Sequence, residues 1–191
     1  KEINKDYQVG ISKHNVYFDA YKERFINRLL KKALDWAWNF SFLNSIANCQ
    51  DFIGLNNYHH NTINYGFNKN KNEKLSDMGW ELYPEALYYG LLDIRKYNKP
   101  IYITENGLAD KEDKYRSWFI RENIKAVARA MEDGVDVRGY LYWSLLDNFE
   151  WDKGFWPRFG LVEIDYKTLE RKIRPSAYEY AKICKENEME L

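Results

Sequence analysis

The chain has 191 residues, its 29 lysines and arginines cancel its 29 aspartates and glutamates, and 17% of it is aromatic. That balance gives no field to draw in nucleic acid or an anionic membrane, and no stretch approaches the roughly 20 apolar residues that cross a bilayer. No signal-like segment is visible, and the two cysteines, Cys49 and Cys184, lie near apolar Ala47 and Ile183, which predicts buried free thiols in a reducing, cytoplasmic setting rather than a disulfide.

In chain order, strand and helix signals alternate. A first strand is predicted over 8–13, with Val16-Tyr17-Phe18 behind it, and then Phe25, Leu29, Ala33, Trp36 and Phe40 recur at helical steps of three or four. A second strand is predicted over 51–57. The polar, asparagine-rich stretch 59–80, with Gly66 and Gly79, reads as a long loop beside a site. Pro84 opens a helix carrying Leu87, Leu91 and Ile94, and Lys99-Pro100 marks the start of a third strand over 100–105. Ile120, Ile124, Val127 and Met131 define the next helix, which Gly134 stops, and a fourth strand follows over 137–143. Segment 152–166 reads as an extended excursion before a last helix that Pro175 begins. This β-then-α order implies an α/β fold with a parallel sheet, and residues 1–191 contain no linker, internal sequence repeat or low-complexity tract, so a single domain of four βα units is expected.

Two of the strands end in chemistry. Ile101-Tyr102-Ile103-Thr104-Glu105-Asn106-Gly107 delivers a carboxylate from the end of an apolar strand into a glycine turn, and in α/β proteins ligands gather at the carboxyl ends of parallel strands. Taken alone, the heptapeptide favours chemistry only modestly over the alternative of a capping or loop glutamate. The segment from Val137 to Trp151 also runs from an apolar strand into polar and aromatic residues. Trp143, Glu150 and Trp151 suit a sugar site, where an indole face covers the C–H face of a pyranose and a carboxylate accepts from neighbouring hydroxyls. A tryptophan-rich core with one rim glutamate is the alternative. His59 and His60 are adjacent, so on a strand they would face opposite ways, and no cysteine or histidine at ligand spacing accompanies them. No metal is therefore expected, and one of the two is expected to be a loop residue near the site. There is no phosphate-cradling glycine loop and no Ser/His/Asp set.

With Asp51-Phe52-Ile53-Gly54-Leu55-Asn56-Asn57-Tyr58 added, the chain resembles glycoside hydrolase family 1, the β-glucosidase, β-galactosidase, β-mannosidase and phospho-β-glycosidase family, over nearly its whole length. The order matches too: a Gly-Ile-Ser strand, Gly-Leu-Asn-x-Tyr, Thr-Glu-Asn-Gly, Asn-Phe-Glu-Trp, then Arg158-Phe159-Gly160. The resemblance implies that Glu105 is the nucleophile of a retaining β-glycosidase and that Tyr58 donates to it, keeping it ionised. It places Asn56 near the same carboxylate, Trp143 under the sugar ring, Glu150 and Trp151 on the distal hydroxyls, and Phe159 on the rim of that subsite. Asn57 departs from the tyrosine usual there. No cofactor is implied, and a negative Glu150 disfavours a 6-phosphate.

Retaining glycosidases need two carboxyl groups about 5 Å apart, and the family's Asn-Glu-Pro, which carries the second, does not occur in this sequence. A whole barrel runs to about 250 residues or more. The resemblance therefore implies the C-terminal half of a (β/α)8 TIM barrel, strands five to eight with their helices, lacking the general acid/base. Half a barrel leaves two open edges, so a complementary N-terminal half-barrel chain or self-association is expected. Lys1 in place of an initiator methionine favours processing or excerpting. The expected activity is hydrolysis of β-O-glycosides, incomplete or confined to activated aryl glycosides for this chain alone. An inactive carbohydrate-binding module, or a split-enzyme fragment awaiting its other half, is the competing reading.

Overall fold

A computed structural model describes residues 6–189, so Lys1 lies outside the described residues. Four strands, β1 (Gly10–Ala20), β2 (Phe52–Ile63), β3 (Ile101–Asn106) and β4 (Val137–Tyr142), pair in parallel and in chain order. Helices α1 (Phe25–Leu34) and α2 (Ser41–Ile46), joined by a π-helical stretch Asp35–Phe40, return the chain from β1 to β2. Helix α3 (Glu85–Ile94) connects β2 to β3, and α4 (Arg116–Glu132) connects β3 to β4. The excursion after β4 contains an antiparallel pair, β5 (Val162–Ile164) and β6 (Arg171–Ile173), and ends in α5 (Pro175–Glu186).

The core lies between the sheet and its helices. Ile53, Leu55, Ile101, Ile103 and Val137 project from β2, β3 and β4 onto Leu87, Leu91 and Ile94 of α3 and Val127 and Ala130 of α4. Each fully buried aliphatic of this kind contributes about 1.5–3 kcal/mol, which explains why the apolar repeats of α3 and α4 match the period read from the sequence. Gly134, with φ of 85°, closes the chain after α4 in the left-handed region that favours glycine.

Three features depart from the sequence reading. Strands β1 and β2 extend past 13 and 57 because Val16–Ala20 pairs with His59–Ile63 beyond a bulge at Asn15/Val16. His59 and His60 are thus strand residues, not loop residues. The helical period of Phe25, Leu29, Ala33 and Trp36 holds, but that stripe faces away from the sheet and is exposed. The inward face of this segment is polar: Asn39 binds both backbone groups of Val16, at 2.8 and 3.1 Å, and Asn27 donates to the Tyr21 carbonyl at 3.0 Å. Cys49 and Cys184 are free but exposed, not buried, because Cys49 ends a short turn before β2 and Cys184 lies on the outer side of α5. Among the described residues, no helix is long and apolar enough to cross a membrane.

Candidate active site

Glu105 is the penultimate residue of β3, half-buried at the carboxyl end of the sheet. Its position is fixed by its neighbour. The Asn106 amide donates to the Asn57 carbonyl at 2.7 Å and accepts from the Tyr140 hydroxyl at 2.8 Å, tying the end of β3 to both flanking strands. Asn57, the position that departs from the family's tyrosine, turns away from the carboxylate: its side chain is buried and donates to Asn15 at 3.3 Å.

Tyr58 reaches Glu105 from the neighbouring strand, its hydroxyl donating to Oε2 at 2.8 Å. Burial first, and then the charge of and hydrogen bond to Glu105, push the phenol far above its ordinary value, so it remains a donor at any physiological pH. Asn56 pairs with Glu105 in the ladder, yet its side chain accepts from Thr104 at 2.6 Å, and Thr104 accepts from Ser12 at 3.0 Å. Asn56 thus belongs to a polar row on the sheet's inner face beside the carboxylate.

Trp143 follows β4 and is half-buried. A Cβ on Gly107 would stand 1.8 Å from the Trp143 carbonyl oxygen, so the turn after Glu105 and the indole's backbone are in direct contact. Gly107→Ala is therefore expected to separate the two and destabilise the fold by about 1–3 kcal/mol. A urea titration that leaves the midpoint unchanged would show that this contact is not what fixes the turn.

Glu150 is half-buried, and Trp151 is exposed. Burial, followed by the negative charges of Glu105 and Asp152, raises the Glu150 carboxyl above its usual range. The charge of Glu105 thus acts on the Glu150 carboxyl. Phe159 differs from the reading as a rim residue: it is 2% exposed and packs edge-on against Tyr58, with centroids 6.4 Å apart and planes at 84°. It packs behind Tyr58, and the amide of the next residue, Gly160, donates to the buried Asp147 carboxylate at 2.8 Å.

The sequence reading missed Trp80. Its indole lies 6.0 Å from the Tyr58 ring, 4.4 Å from His59 and 6.1 Å from Phe159. Its place at the end of a polar loop gave no periodic signal. It also assigned nothing to His14, whose Nε2 lies 3.2 Å from His59 Nδ1. Among the described residues, no cluster of three potential metal ligands forms. His60 points to the opposite face of β2 and pairs with Glu81 at 2.6 Å.

Burial, then the charges of His59 and Lys13, push the His14 imidazole down from 6.5 to about 4. The unfolded chain takes up a proton that the folded chain refuses, so this group's contribution to stability is full above about 6.5 and is lost as pH falls to about 4. Urea midpoints measured across that window are expected to fall with pH, and to fall less steeply in His14→Asn. Equal slopes would show that His14 titrates normally.

The sequence model described as glycosyl hydrolase family 1 matches residues 1–189. The chain belongs to that family. A β-galactosidase of Pyrococcus woesei is 38% identical over 169 residues, which span 83% of this chain and 32% of the relative. β-Glucosidase A of Acetivibrio thermocellus is 40% identical over 190 residues, covering 87% of this chain and 42% of that protein. Among solved structures, the Thermotoga maritima β-glucosidase in complex with glucoimidazole superposes with a TM-score of 0.91 at 29% identity, over 98% of this chain and 53% of its own. A β-glycosidase from Pyrococcus horikoshii gives 0.89 at 36% identity, over 96% and 49%. The chain therefore spans half or less of the length of most of these family 1 relatives, and its four parallel strands with their helices are half of a TIM barrel.

Proposed function

We propose that this chain supplies the nucleophile and the glycone subsite of a retaining β-glycosidase acting on β-O-glycosides. The observation that carries the reading is the 2.8 Å hydrogen bond from Tyr58 to Glu105 at the carboxyl end of β3, in a family 1 chain. In the first step a Glu105 oxygen attacks the anomeric carbon, the bond to the leaving oxygen breaks, and a glycosyl ester forms. Tyr58 holds the other oxygen and keeps the carboxylate in line. In the second step water attacks the same carbon and passes a proton to the second carboxyl, the ester bond to Glu105 breaks, and the free sugar departs with both acids restored. Trp143 covers the sugar ring, Glu150 and Trp151 hold its distal hydroxyls, Asn56 stands beside the nucleophile, and Phe159 stiffens Tyr58 from behind. Carboxylates and water suffice for this chemistry.

The proton for the leaving oxygen comes from a second carboxyl about 5 Å from the first, and we assign it to four complementary βα units outside these 191 residues. Residues 1–191 act as one unit in this reading. Two surfaces support a complement. The outer edge of β1 has no strand neighbour among the described residues, and beside it α1 and the following turns expose Phe25, Ile26, Leu29, Leu30, Trp36 and Trp38. An apolar face of this kind beside an open strand edge is suited to another βα layer. The relatives' names, β-glucosidase and β-galactosidase, support a β-glycoside of a neutral hexose as the substrate class.

A fluorinated aryl β-glycoside that forms the ester quickly and loses it slowly tests the proposal. Combined with the complementary half, the chain is expected to gain one sugar, mapped by peptide mass to Glu105. Sugar binding without any label would favour a carbohydrate-binding module, and a label elsewhere would remove Glu105 from the reaction.

A further inference from the structure

Glu105 faces the cleft because β3 breaks its own alternation. Side chains along a strand point to opposite faces in turn. Ile101 and Ile103 lie in the core against the helices, and Tyr102, between them, meets Phe52 of β2 edge-on with ring centroids 5.3 Å apart. Regular alternation would put Thr104 on the inner face of the sheet and turn Glu105 back toward the helices. Instead both face inward. Thr104 accepts from Ser12 at 3.0 Å and donates to Asn56 at 2.6 Å, and Glu105 accepts from Tyr58 at 2.8 Å. Asn56 and Tyr58 are two apart on β2, so they share a face.

The register gives the cause. Leu55 pairs with Ile103 and Asn56 with Glu105, so one step on β2 spans two on β3. On the other side Ile103 pairs with Tyr140 and Asn106 with Tyr142, two steps on β4 against three on β3. Here β3 carries one residue more than each neighbour, and against β2 that residue is Thr104. An inserted residue of this kind re-aims the side chains beside it. We propose that Thr104, pinned by Ser12 and Asn56, is a positioning residue whose two hydrogen bonds hold this bulge and so aim the Glu105 carboxylate at the reacting carbon. This rests on Glu105 being the nucleophile.

The pin spans three strands. Ser12 belongs to β1 and Thr104 to β3, with β2 between them. The residue of β2 that pairs with Ser12 is Gly54, where a Cβ would stand 2.8 Å from Ser12 Oγ. The missing side chain is what lets the serine reach across β2 to the threonine. Asn106 ties down the residue after Glu105, through the Asn57 carbonyl and the Tyr140 hydroxyl, and Thr104 ties down the residue before it. Valine at 104 keeps the branched shape and the strand preference but neither donates nor accepts, whereas serine does both. Losing the pin removes no group from the cleft. It lets the bulge relax, which costs alignment of the attack and spares the binding of the sugar.

The test uses the chain combined with its complementary half and a fluorinated aryl β-glycoside that labels Glu105. Thr104→Val is expected to slow ester formation roughly 10- to 100-fold, the effect of misplacing a reacting group by about 1 Å, with the reversible binding constant of the glycoside nearly unchanged. Thr104→Ser restores both bonds and is expected to label at close to the parent rate, and Ser12→Ala, which removes one bond, is expected to fall between. A second readout separates aim from general loosening. In Glu105→Ala, azide bonds to the anomeric carbon as the aryloxide leaves, and no carboxylate needs aiming, so adding Thr104→Val is expected to leave that azide-driven rate unchanged. Labelling of Thr104→Val at the parent rate, a serine variant as slow as the valine one, or an equal loss in the azide reaction would overturn the proposal. Should Thr104→Val fail to fold, Ser12→Ala carries the same two comparisons. A label on another residue would remove Glu105 itself, whereas a label on Glu105 at unaltered rates would remove only the role of Thr104.

Discussion

Glu105→Ala, in the chain combined with its complementary half, is expected to lower turnover of an aryl β-glycoside by at least about 10⁴-fold, because the covalent route loses the group that forms the bond. The loss carries a signature that a structural glutamate would not give. Added azide is expected to occupy the space of the missing carboxylate and attack the anomeric carbon from the same face, expelling the aryl leaving group. The product would be an α-glycosyl azide, with inverted configuration. Tyr58→Phe makes a graded companion. It removes one hydrogen bond to a charged acceptor, 2.8 Å long in the parent, and a bond of that kind contributes about 1.5–3 kcal/mol. Activity should therefore fall about 10- to 100-fold while labelling at Glu105 persists. If Glu105→Ala retained turnover, or azide left the variant inert while the fold was intact, the assignment of the nucleophile would fail.

Much of this site was legible because its residues sit in short strands whose composition announces them. The run of β-branched residues in 101–104, stopped by Gly107, located β3 and the acid at its end, and the structure puts Glu105 there. Trp143 likewise follows directly on a readable strand, and Glu150 lies farther along the loop after it. Helix α1 shows what a local pattern does not contain. Its period of three to four was plain, but periodicity fixes only that one face is apolar, not which side meets the sheet. Here Asn27, Asp35 and Asn39 take the buried side by hydrogen bonding to backbone or to one another, and the apolar stripe is left outside. Trp80 and His14 escaped for a different reason. Each matters through a ring from another strand or loop, and a partner some 20 to 60 positions away leaves no local trace. The cysteines failed because adjacent apolar residues are weak evidence of burial at a helix surface or a turn. Strand lengths were underestimated because Asn70 satisfies the end of β2 by accepting from the Thr62 amide at 2.7 Å and donating to the His60 carbonyl at 2.8 Å, so a polar, asparagine-rich stretch prolongs the strand it was expected to end.

Asp147→Leu is expected to destabilise the chain by about 3–5 kcal/mol, the usual cost of removing one partner from a buried ion pair. The carboxylate is fully buried and lies within 3.2 to 3.3 Å of Arg174 and Arg158, whose side chains are only 4% and 20% exposed. It also accepts from the backbone amides of Gly160 at 2.8 Å and Ile164 at 3.3 Å. Arg174 in turn donates to the Gly160 carbonyl at 2.7 Å, so both edges of that peptide segment are held by one ion pair. Between Asp147 and Gly160 the chain carries Glu150, Trp151 and Phe159. A leucine would leave two cations and two amides without their acceptor, and no water-sized adjustment restores five bonds at once. Asp147→Asn keeps one acceptor oxygen and the shape, so a smaller loss is expected. The double variant Asp147→Leu with Arg174→Leu should recover part of the first loss by removing the more buried of the two orphaned charges. Urea unfolding of the four proteins checks the series. Because the clamp holds the loop and not Glu105, the single asparagine variant is also expected to raise KM for a glycoside more than it lowers kcat, and equal stability of parent and leucine variants would show that the arginines find other partners.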